Sequence, residues 1–544
     1  MKKIINLVLA IVIAFSCFVA SGCGGKVNSS DPQALELFIY SAGYGHTWLE
    51  KILEEFKEEE WVKEKYPELT TSLKVSELEA EASTLLQDET GKANPYEIIF
   101  GQVLNKYMGK NGKVEDLTEK VYNTLVPGES VYYKDKMLQS ARKSNIDPSV
   151  EQGQDPIYYT ASYASGMTGM IYNADRLSAM GFSVPNTTDE LVNIMKTIKE
   201  RNSSANKLSG YTKTYSMVTY TVSTYVNYLF YTWWAQYQGS EEFANFFKGY
   251  DSEMNSYGPT VLAQQGRLKS LEVVEQIMSK DNGYTLIEED TSRFAYRAAQ
   301  GKIITGNAVF MANGDWFDNE MRGTVLNEET VKLMRTPIVS KIIEKTPSIA
   351  NDAELSALIT AIDAGVTAID GNGYSVTQED YDTILKARVC VYTIGPGHNA
   401  VVPKIAAGKE VAYDFLRYLA TDKANEIYIR ETKGASLPFE YDVTVKNPEL
   451  LNSLTPMQKG RLEYFNGYNI EIDLLPAPNS FPLVLYGGFG AMSAYGNPGA
   501  VFLEGFDKGS YVSGAQKLFM DDYKYWTEDE QTRFKSALNA AGLQ

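Results

Sequence analysis

Apolar positions form two kinds of pattern along the N-terminal part of the chain, short continuous runs and helical spacing. Residues 34–40 (ALELFIY) are a mostly apolar run that predicts a strand. Residues 47–66 place Trp48, Ile52 and Phe56 at helical spacing among charged residues, which predicts an amphipathic helix. The same criteria predict strands at 72–78 and 96–101 and a short helix at 82–91. Strands and helices that alternate in this way predict a parallel sheet covered by helices, with ligand sites at the carboxyl ends of its strands.

A second region repeats this arrangement further along the chain. Residues 165–173 are strand-like, and 184–202 form an apolar-periodic helix that begins at a Thr187-x-x-Glu190 capping box. Further helices are predicted at 260–283, as a pair within 403–434, and at 521–542. The region 322–388 mixes short strands and turns, and its pattern predicts no clear order of elements.

An aromatic-rich stretch lies between these elements, at 211–239. It contains seven tyrosines together with Phe230, Trp233 and Trp234. Large rings are usually well buried, so most of these side chains are predicted to fill a core. Trp233 is retained as a candidate ligand contact.

The N-terminus has the features of a secretory signal. A short basic start precedes an apolar segment, 4–20, that is too short for a membrane span. The sequence Ala-Ser-Gly-Cys at 20–23 resembles a bacterial lipobox. We therefore expect 1–22 to be a signal peptide and Cys23 to carry a lipid, with 23–33 as a flexible tether that anchors an extracytoplasmic protein to the bacterial cell membrane. Ordinary cleavage with release of the protein is the alternative.

Composition excludes several classes of function. The formal net charge of −18 repels phosphate backbones, which argues against a nucleic-acid partner. Cys17 would leave with the signal and Cys23 would be the anchor, so Cys390 has no disulfide partner and is predicted to fill a buried strand position. The remaining metal-ligand candidates, His46 and His398, lack metal-ligand spacing, so we predict neither a metal nor a cofactor. Chemistry that uses carboxylates alone stays open.

Three segments together resemble one protein family. They are GMIYNADRLSAMGFSVPNTTDEL (169–191), GNAVFMANGDWFDNEM (306–321) and GHNAVVPKIAAGKEVAYDFLRYLATDKA (397–424). In this order, behind a lipobox, they resemble the family 1 extracellular solute-binding proteins of ABC importers, in the carbohydrate-binding branch that includes the maltose-binding type. The resemblance covers most of the chain that would remain after signal cleavage.

The resemblance implies an α/β fold of two discontinuous lobes, of the type II periplasmic-binding-protein kind, joined by a hinge. A ligand would lie between the lobes and drive their closure. The implied bounds are 34–162 plus 399–440 for lobe 1 and 167–395 plus 445–544 for lobe 2. The chain would cross between lobes near 162–166, near 394–398 and again near 440.

The segment 309–321 (VFMANGDWFDNEM) places a large ring and a carboxylate where a strand should end. A sugar presents an apolar C–H face and a rim of hydroxyls, so its site needs a flat ring and fixed polar groups. On the resemblance, Trp316 is the stacking ring and Asp315 accepts from hydroxyls, unless Trp316 is a core residue and Asp315 a helix cap. The other candidate ligand contacts are Tyr44 and His46 in the first loop, Gln102 after the third strand, Tyr163 and Ser165 beside the first crossing, and Trp233.

Two departures from the maltose-type pattern bear on the ligand. Gly166 stands where that pattern has an acidic residue in the first crossing. Gly101, Gln102 and Val103 stand where it has aromatic and charged residues after the third strand. Maltose is therefore not implied as the ligand.

The main interpretation is that a monomer captures a mono- or oligosaccharide without catalysis and delivers it to the transmembrane subunits of an ABC permease. A peptide or another polar solute is the second candidate ligand. A surface glycoside hydrolase that uses Asp315 and Asp318 as paired carboxylates is a remote alternative. An adhesin or scaffold with an empty cleft is a further one.

Overall fold

The structure is a computed structural model of the chain. It describes residues 31–543 except for 42, 88–93, 103–111, 148–149, 151–153, 204–212, 221–224, 280, 289–294, 322–323, 325–329, 367–374, 395–396, 467–471, 476–480, 486 and 488–527. The predicted signal peptide, and Cys23 with most of the predicted tether, lie outside the described residues.

The strands are short and lie in both halves of the chain. In chain order they are β1 (Ala34–Tyr40), β2 (Thr70–Ser76), β3 (Ile98–Gln102), β4 (Ala161–Ser162), β5 (Thr168–Asn173), β6 (Tyr215–Tyr220), β7 (Tyr250–Asp251), β8 (Ser256–Tyr257), β9 (Thr285–Glu288), β10 (Ala308–Gly314), β11 (Val331–Met334), β12 (Cys390–Tyr392), β13 (His398–Val401) and β14 (Asp473–Leu475).

Helices separate most of these strands. The α-helices are α1 (Thr47–Glu58), α2 (Glu60–Lys65), α3 (Glu79–Gln87), α4 (Tyr133–Lys136), α5 (Gln139–Asn145), α6 (Ala174–Ala179), α7 (Thr188–Ser203), α8 (Tyr225–Gln238), α9 (Ser240–Lys248), α10 (Gln265–Met278), α11 (Ala295–Ile304), α12 (Phe317–Glu320), α13 (Asp352–Asp363), α14 (Gln378–Val389), α15 (Lys409–Tyr418), α16 (Asp422–Glu431), α17 (Val443–Lys446), α18 (Pro448–Ser453), α19 (Pro456–Asn466), α20 (Pro482–Leu485) and α21 (Glu528–Ala541). A π-helical turn spans Thr118–Tyr122, and 3₁₀ turns span Pro259–Ala263 and Ser340–Lys345.

The first five-stranded sheet has the order β2-β1-β3-β13-β4. Strand β1 runs parallel to β2 and β3, whereas β13 is antiparallel to β3 and β4. Helix α1 covers one face with Trp48, Ile52 and Phe56, all of them buried, as the helical spacing predicts. Because β1 and β3 are parallel, their carboxyl ends, Tyr40 and Gln102, lie at the same edge of this sheet.

The second five-stranded sheet has the order β11-β5-β10-β6-β9. Its central strand, β10, is buried along its whole length and ends at Gly314. Helix α8, from the aromatic stretch, is apolar on most of its circumference and packs against α10, β10 and β12. Such a helix is stable only when it is enclosed, so most of the rings at 211–239 that the structure describes fill a core.

One predicted helix is divided in the structure. The continuous helix expected at 47–66 becomes α1 and α2, because Glu59 is extended, with φ −61° and ψ 129°. The Glu59 carboxylate accepts a hydrogen bond from the Tyr418 hydroxyl at 3.0 Å and pairs with Lys423 at 3.3 Å. The prediction is wrong at this point because the apolar pattern does not report these contacts with α15 and α16.

The helix expected at 260–283 is also divided, into a 3₁₀ turn at Pro259–Ala263 and α10, which ends at Met278, because Gln264 is non-helical with φ −53° and ψ 116°. The remaining elements follow the sequence more closely. In the capping box of α7, Thr187 Oγ1 accepts from the Glu190 N–H at 3.2 Å, while the Glu190 carboxylate accepts from the Asn186 N–H at 2.7 Å. Cys390 is buried in β12, as predicted. The unassigned region 322–388 contains β11, a 3₁₀ turn, α13 and α14.

No helix in the described part of the chain combines the length and the apolar composition that crossing a membrane requires. The two sheets belong to two lobes of the fold, and the lobe bounds given above stay predictions.

Two helix glycines offer a matched test of packing. A Cβ on Gly266, at the start of α10, would lie 2.7 Å from the Trp234 carbonyl oxygen in α8, whereas a Cβ on Gly301 in α11 meets nothing within 4 Å. We expect Gly266→Ala to lower the free energy of unfolding by about 1–3 kcal/mol through overpacking. Gly301→Ala should raise it by about 0.5–1 kcal/mol, since alanine loses less backbone entropy in a helix.

Denaturant unfolding of the two variants and the wild-type protein measures both effects. Equal effects of the two substitutions, in either direction, would contradict the close approach of α8 and α10.

Candidate binding cleft

A cavity of about 500 Å³ lies where the carboxyl ends of β1 and β3 face the end of β10. Its aromatic wall consists of Tyr40, Tyr44, Tyr225, Tyr228, Tyr296 and Trp316. Its polar wall includes Ser41, Glu77, Gln102, Arg297, Asn319 and Glu320. Both sheets therefore contribute to one cleft, at the strand ends where α/β proteins bind their ligands.

Trp316 lies at the centre of the aromatic wall, at the N-cap of α12. Three tyrosine rings meet it edge to face or nearly so, with centroid distances of 5.8 Å to Tyr225, 6.1 Å to Tyr228 and 6.4 Å to Tyr44. The ring folds back over Gly314, where a Cβ would lie 2.1 Å from the indole. The glycine before the Asp-Trp pair is thus a steric requirement of this ring position.

Asp315 is buried beneath the cavity and is fully engaged by protein groups. Its Oδ2 accepts from Arg461 Nε at 2.7 Å and from the Met167 N–H at 3.1 Å, and its Oδ1 accepts from the Tyr44 hydroxyl at 2.8 Å. Arg461 also donates to Ser165 Oγ at 2.6 Å and to Ser436 Oγ at 2.9 Å. This corrects the expectation that Asp315 accepts from ligand hydroxyls, because the carboxylate instead ties several chain segments together.

Hydrogen bonds of Tyr44 and Asn319 link the loop after β1 to the turn after β10. The Tyr44 hydroxyl reaches Asp315, and Asn319 Nδ2 donates to the Gly43 carbonyl at 2.6 Å. Burial, followed by the charge of Asp315, raises the pKa of Tyr44 well above its ordinary value, so this phenol stays a donor. The loop after β1 and the turn after β10 are thereby held against each other.

Tyr163 and Ser165 also have structural partners. Tyr163 stacks on Trp48 at 5.4 Å and donates to the Gly101 carbonyl at 3.3 Å. Ser165 is buried and bonded to Arg461 and Ser436. Neither residue lines the cavity, because both face the interior beside the crossing between the two sheets.

Two other candidates lie away from the cavity wall. Trp233 is fully buried in α8, and its indole N–H donates to the Pro337 carbonyl at 3.0 Å, so it is a core residue and not the ligand contact that the sequence suggested. His46 is the N-cap residue of α1, where its Nδ1 lies 3.1 Å from Ser41 Oγ and its Nε2 lies 3.9 Å from Glu50. It orients Ser41, which does line the cavity.

Gln102, the last residue of β3, is half-buried on the polar wall. Its Nε2 lies 3.2 Å from Nε2 of His398, the residue directly opposite on β13. The sequence suggested His398 only as a possible metal ligand. Its role becomes visible only when the two strands are paired.

Several residues of the cavity wall were not among the candidates that the sequence suggested. Tyr225 and Tyr228 were included in the aromatic stretch assigned to the core, although their spacing of three places both on one face of α8. Asn319 and Glu320 follow Trp316 within the same turn and could have been included on that ground. Tyr296 and Arg297 carry no sequence signal, because only the fold brings α11 to the cleft.

Glu320 is an unusual acid on this wall. Burial raises its pKa from 4.5 to about 8, against the opposing effects of the Gln300 amide and the charge of Arg297. Gln300 Nε2 donates to Glu320 Oε2 at 2.6 Å. Near neutral pH this carboxyl is largely protonated, so it can donate a hydrogen bond into the cleft as well as accept one.

The described residues contain no group of three or more histidine, cysteine, aspartate or glutamate side chains placed to hold a metal ion. The polar side chains of the cavity can hydrogen-bond a ligand, and its aromatic side chains can cover apolar faces of that ligand.

Comparison with known proteins gives structural matches alone. No protein-family model matches the chain, and no curated protein matches its sequence. A family 1 extracellular solute-binding protein from Bifidobacterium longum subsp. infantis is 13% identical over 90% of this chain and 99% of its own, with a TM-score of 0.51. The GacH receptor of Streptomyces glaucescens is 12% identical over 90% and 97%, with a TM-score of 0.52. An ABC substrate-binding protein from Listeria monocytogenes is 12% identical over 94% and 100%, with a TM-score of 0.53.

These likenesses extend over nearly the whole of each matched chain. At such low identity they show the fold and no more. The fold is the mixed α/β, two-lobed fold of the periplasmic solute-binding proteins, with one five-stranded sheet in each lobe.

The ion pair beneath the cavity should be essential for stability. Arg461→Met leaves the Asp315 carboxylate buried without its cation, which we expect to lower the free energy of unfolding by about 3–5 kcal/mol. In the double variant Asp315→Asn, Arg461→Met both charges are absent, and stability should be partly restored. Chemical denaturation measures both, and a single-variant loss below about 1 kcal/mol would show that Asp315 does not depend on Arg461.

The raised pKa of Glu320 determines how this residue changes the stability of the fold with pH. Between pH 4.5 and about 8 the unfolded chain releases this proton while the folded protein keeps it, so the contribution of Glu320 to stability falls as pH rises. We expect the stability of wild type relative to Glu320→Gln to be constant below pH 4.5 and to decline up to about pH 8. The exposed Glu64→Gln is the control, and a difference that stays level or grows with pH would contradict the assignment.

Proposed function

We propose that this protein is the substrate-binding lipoprotein of an ABC importer and that it captures a sugar or oligosaccharide in the cleft between its lobes. The observation that carries the proposal is the Trp316 ring, which lines the cavity among three tyrosines, together with the amide and carboxyl groups that line the same cavity. Flat rings cover the C–H face of a sugar, and fixed donors and acceptors select its hydroxyls.

The polar groups fit an uncharged ligand rich in hydroxyls. Gln102 and Asn319 supply amides, and Glu320 is protonated near neutral pH, so each can both donate and accept. A cavity of about 500 Å³ lies within the usual range for small-molecule sites.

The structural neighbours support a carbohydrate ligand and a binding function without catalysis. The Streptomyces glaucescens receptor is described in complex with acarbose, and the Listeria monocytogenes protein in complex with cycloalternan. The glycosidase alternative receives no support from its proposed acids, because Asp315 is paired with Arg461 and Asp318 accepts from Thr455 Oγ1 at 2.7 Å.

The proposal includes anchoring of the protein to the membrane and delivery of its ligand to the permease. A lipid on Cys23 would hold the body at the outer surface of the cell membrane by a short tether, close to the transmembrane subunits that receive the ligand. Closure of the lobes around the sugar would be the state that the permease recognises.

A peptide is the second candidate ligand, favoured by the charges at the cavity. Arg297 and Glu77 both line it, and they could pair with the two ends of a short peptide. Binding tests must therefore include peptides.

Thermal unfolding with a panel of ligands tests the proposal. The panel contains glucose, galactose, maltotetraose, acarbose, cycloalternan, chitotetraose and short peptides of mixed sequence. A sugar at about a hundred times its dissociation constant should stabilise the protein by about 2.7 kcal/mol. We expect one sugar class to do so and Trp316→Ala to abolish the shift.

Trp61→Ala is the matched control, because Trp61 lies on α2 against Phe56, outside the cavity wall, and should keep the full sugar shift. Stabilisation by peptides alone would favour the second candidate. A sugar shift that survives in Trp316→Ala would remove the basis of the proposal.

A further inference from the structure

His398 and Gln102 face each other where β13 begins and β3 ends. His398 is almost fully buried, yet its ring edge reaches the cavity wall beside Gln102. Its Nδ1 lies 3.1 Å from the Ile394 carbonyl oxygen, and its Nε2 lies 3.2 Å from the Gln102 amide nitrogen. These two contacts determine how both polar groups of the pair are oriented.

The Ile394 carbonyl can only accept a hydrogen bond, so Nδ1 of His398 must carry a proton. In a neutral imidazole the other nitrogen then holds a lone pair and can only accept. The Gln102 group that meets Nε2 must therefore be the NH₂ of its amide. Since the amide is rigid, its Oε1 is turned away from His398.

The Gln102 Oε1 has no protein donor among the residues that the structure describes. Reversal of the amide would place Oε1 against Nε2 and require a proton there too, so that His398 would be an imidazolium. Burial opposes this charge and lowers the pKa of His398 to about 4, although the Ile394 carbonyl and Asp315 act in the opposite direction.

The surroundings of the ring favour the same state. Tyr44 meets the imidazole edge to face at 5.0 Å and Tyr163 does so at 5.8 Å. Among the described residues, the carboxylate whose charge affects the pKa of His398 is Asp315. This carboxylate is already paired with Arg461. The neighbours therefore confine the ring sterically and offer Nε2 no anion.

We propose that His398 is a positioning residue that fixes the Gln102 amide with its oxygen toward the cleft, so that the ligand must donate a hydrogen bond at this point. The proposal rests on the proposed function for its ligand but on the ligand-free protein for its geometry. A free hydroxyl or an N–H group satisfies Oε1. An ether oxygen or a carboxylate does not, and leaves the amide oxygen unpaired.

The tautomer can be measured directly, because the chain has only two histidines. Long-range ¹H–¹⁵N spectra of the full-length chain with ¹⁵N-labelled histidine separate protonated from unprotonated ring nitrogens, and His46→Gln assigns the signals. We expect His398 to show a protonated Nδ1 and a free Nε2 at pH 7. A protonated Nε2 with a free Nδ1 would overturn the proposal.

Two variants of Gln102 test the pairing. Gln102→Glu places an acceptor-only carboxylate against Nε2, which should stabilise the imidazolium and raise the pKa of His398 by roughly one pH unit or more. Gln102→Met offers no charge and should not raise it. If the pKa of His398 is the same in Gln102→Glu as in the wild type, the two side chains are not paired and the proposal fails.

The affinity of the Gln102 variants for a sugar tests whether the Gln102 oxygen accepts a hydrogen bond from the ligand. For the panel sugar that stabilises the wild type, Gln102→Glu still offers an oxygen to the cleft and should bind within about threefold of wild type, while Gln102→Met should bind roughly tenfold more weakly. Equal losses in both variants would mean that Gln102 donates to the ligand, and would overturn the proposal. If no sugar binds, the proposed function fails, whereas the tautomer and the titration still decide the role of His398.

Discussion

The buried ion pair between Asp315 and Arg461 is the interaction on which the geometry of the cleft depends. One carboxylate holds the guanidinium of α19, the backbone N–H of Met167 near the crossing between the sheets, and the hydroxyl of Tyr44 in the loop after β1. Neighbouring Trp316 takes its position from the same turn and from the glycine on which its ring rests. Removal of one partner from a buried ion pair leaves an uncompensated charge, so the pair holds together segments that are distant in sequence.

This arrangement divides the Gly-Asp-Trp segment into two roles. The aspartate is fully engaged by protein groups. The tryptophan, although only 3% exposed and packed into the core around the first sheet, also lines the cavity. The sequence suggested that both would contact ligand, and it could not separate them. The carboxylate's main partner, Arg461, lies 146 residues further along the chain. No local sequence pattern predicts a contact over that separation.

Much of the fold could be predicted from the sequence. The apolar run at 34–40 predicted β1 at its observed bounds, and helical spacing predicted the buried face of α1. Gly314, the last residue of β10, marked the strand end where the cavity lies. The cleft wall was less predictable. Tyr225 and Tyr228 share a helix with deeply buried rings, and their exposure to the cleft depends on how α8 crosses the sheets. His398 became meaningful only through its register with Gln102. Long-range pairing of this kind has no counterpart in local propensity.

The central claim is that Trp316 and its polar counterparts form a site that holds a carbohydrate without changing it. Isothermal titration of the protein with the panel sugars and peptides, followed by chromatography of the recovered ligand, tests this most directly. We expect saturable binding of one sugar per chain and recovery of that sugar intact. Binding of peptides alone, or recovery of the sugar as cleaved products, would contradict it.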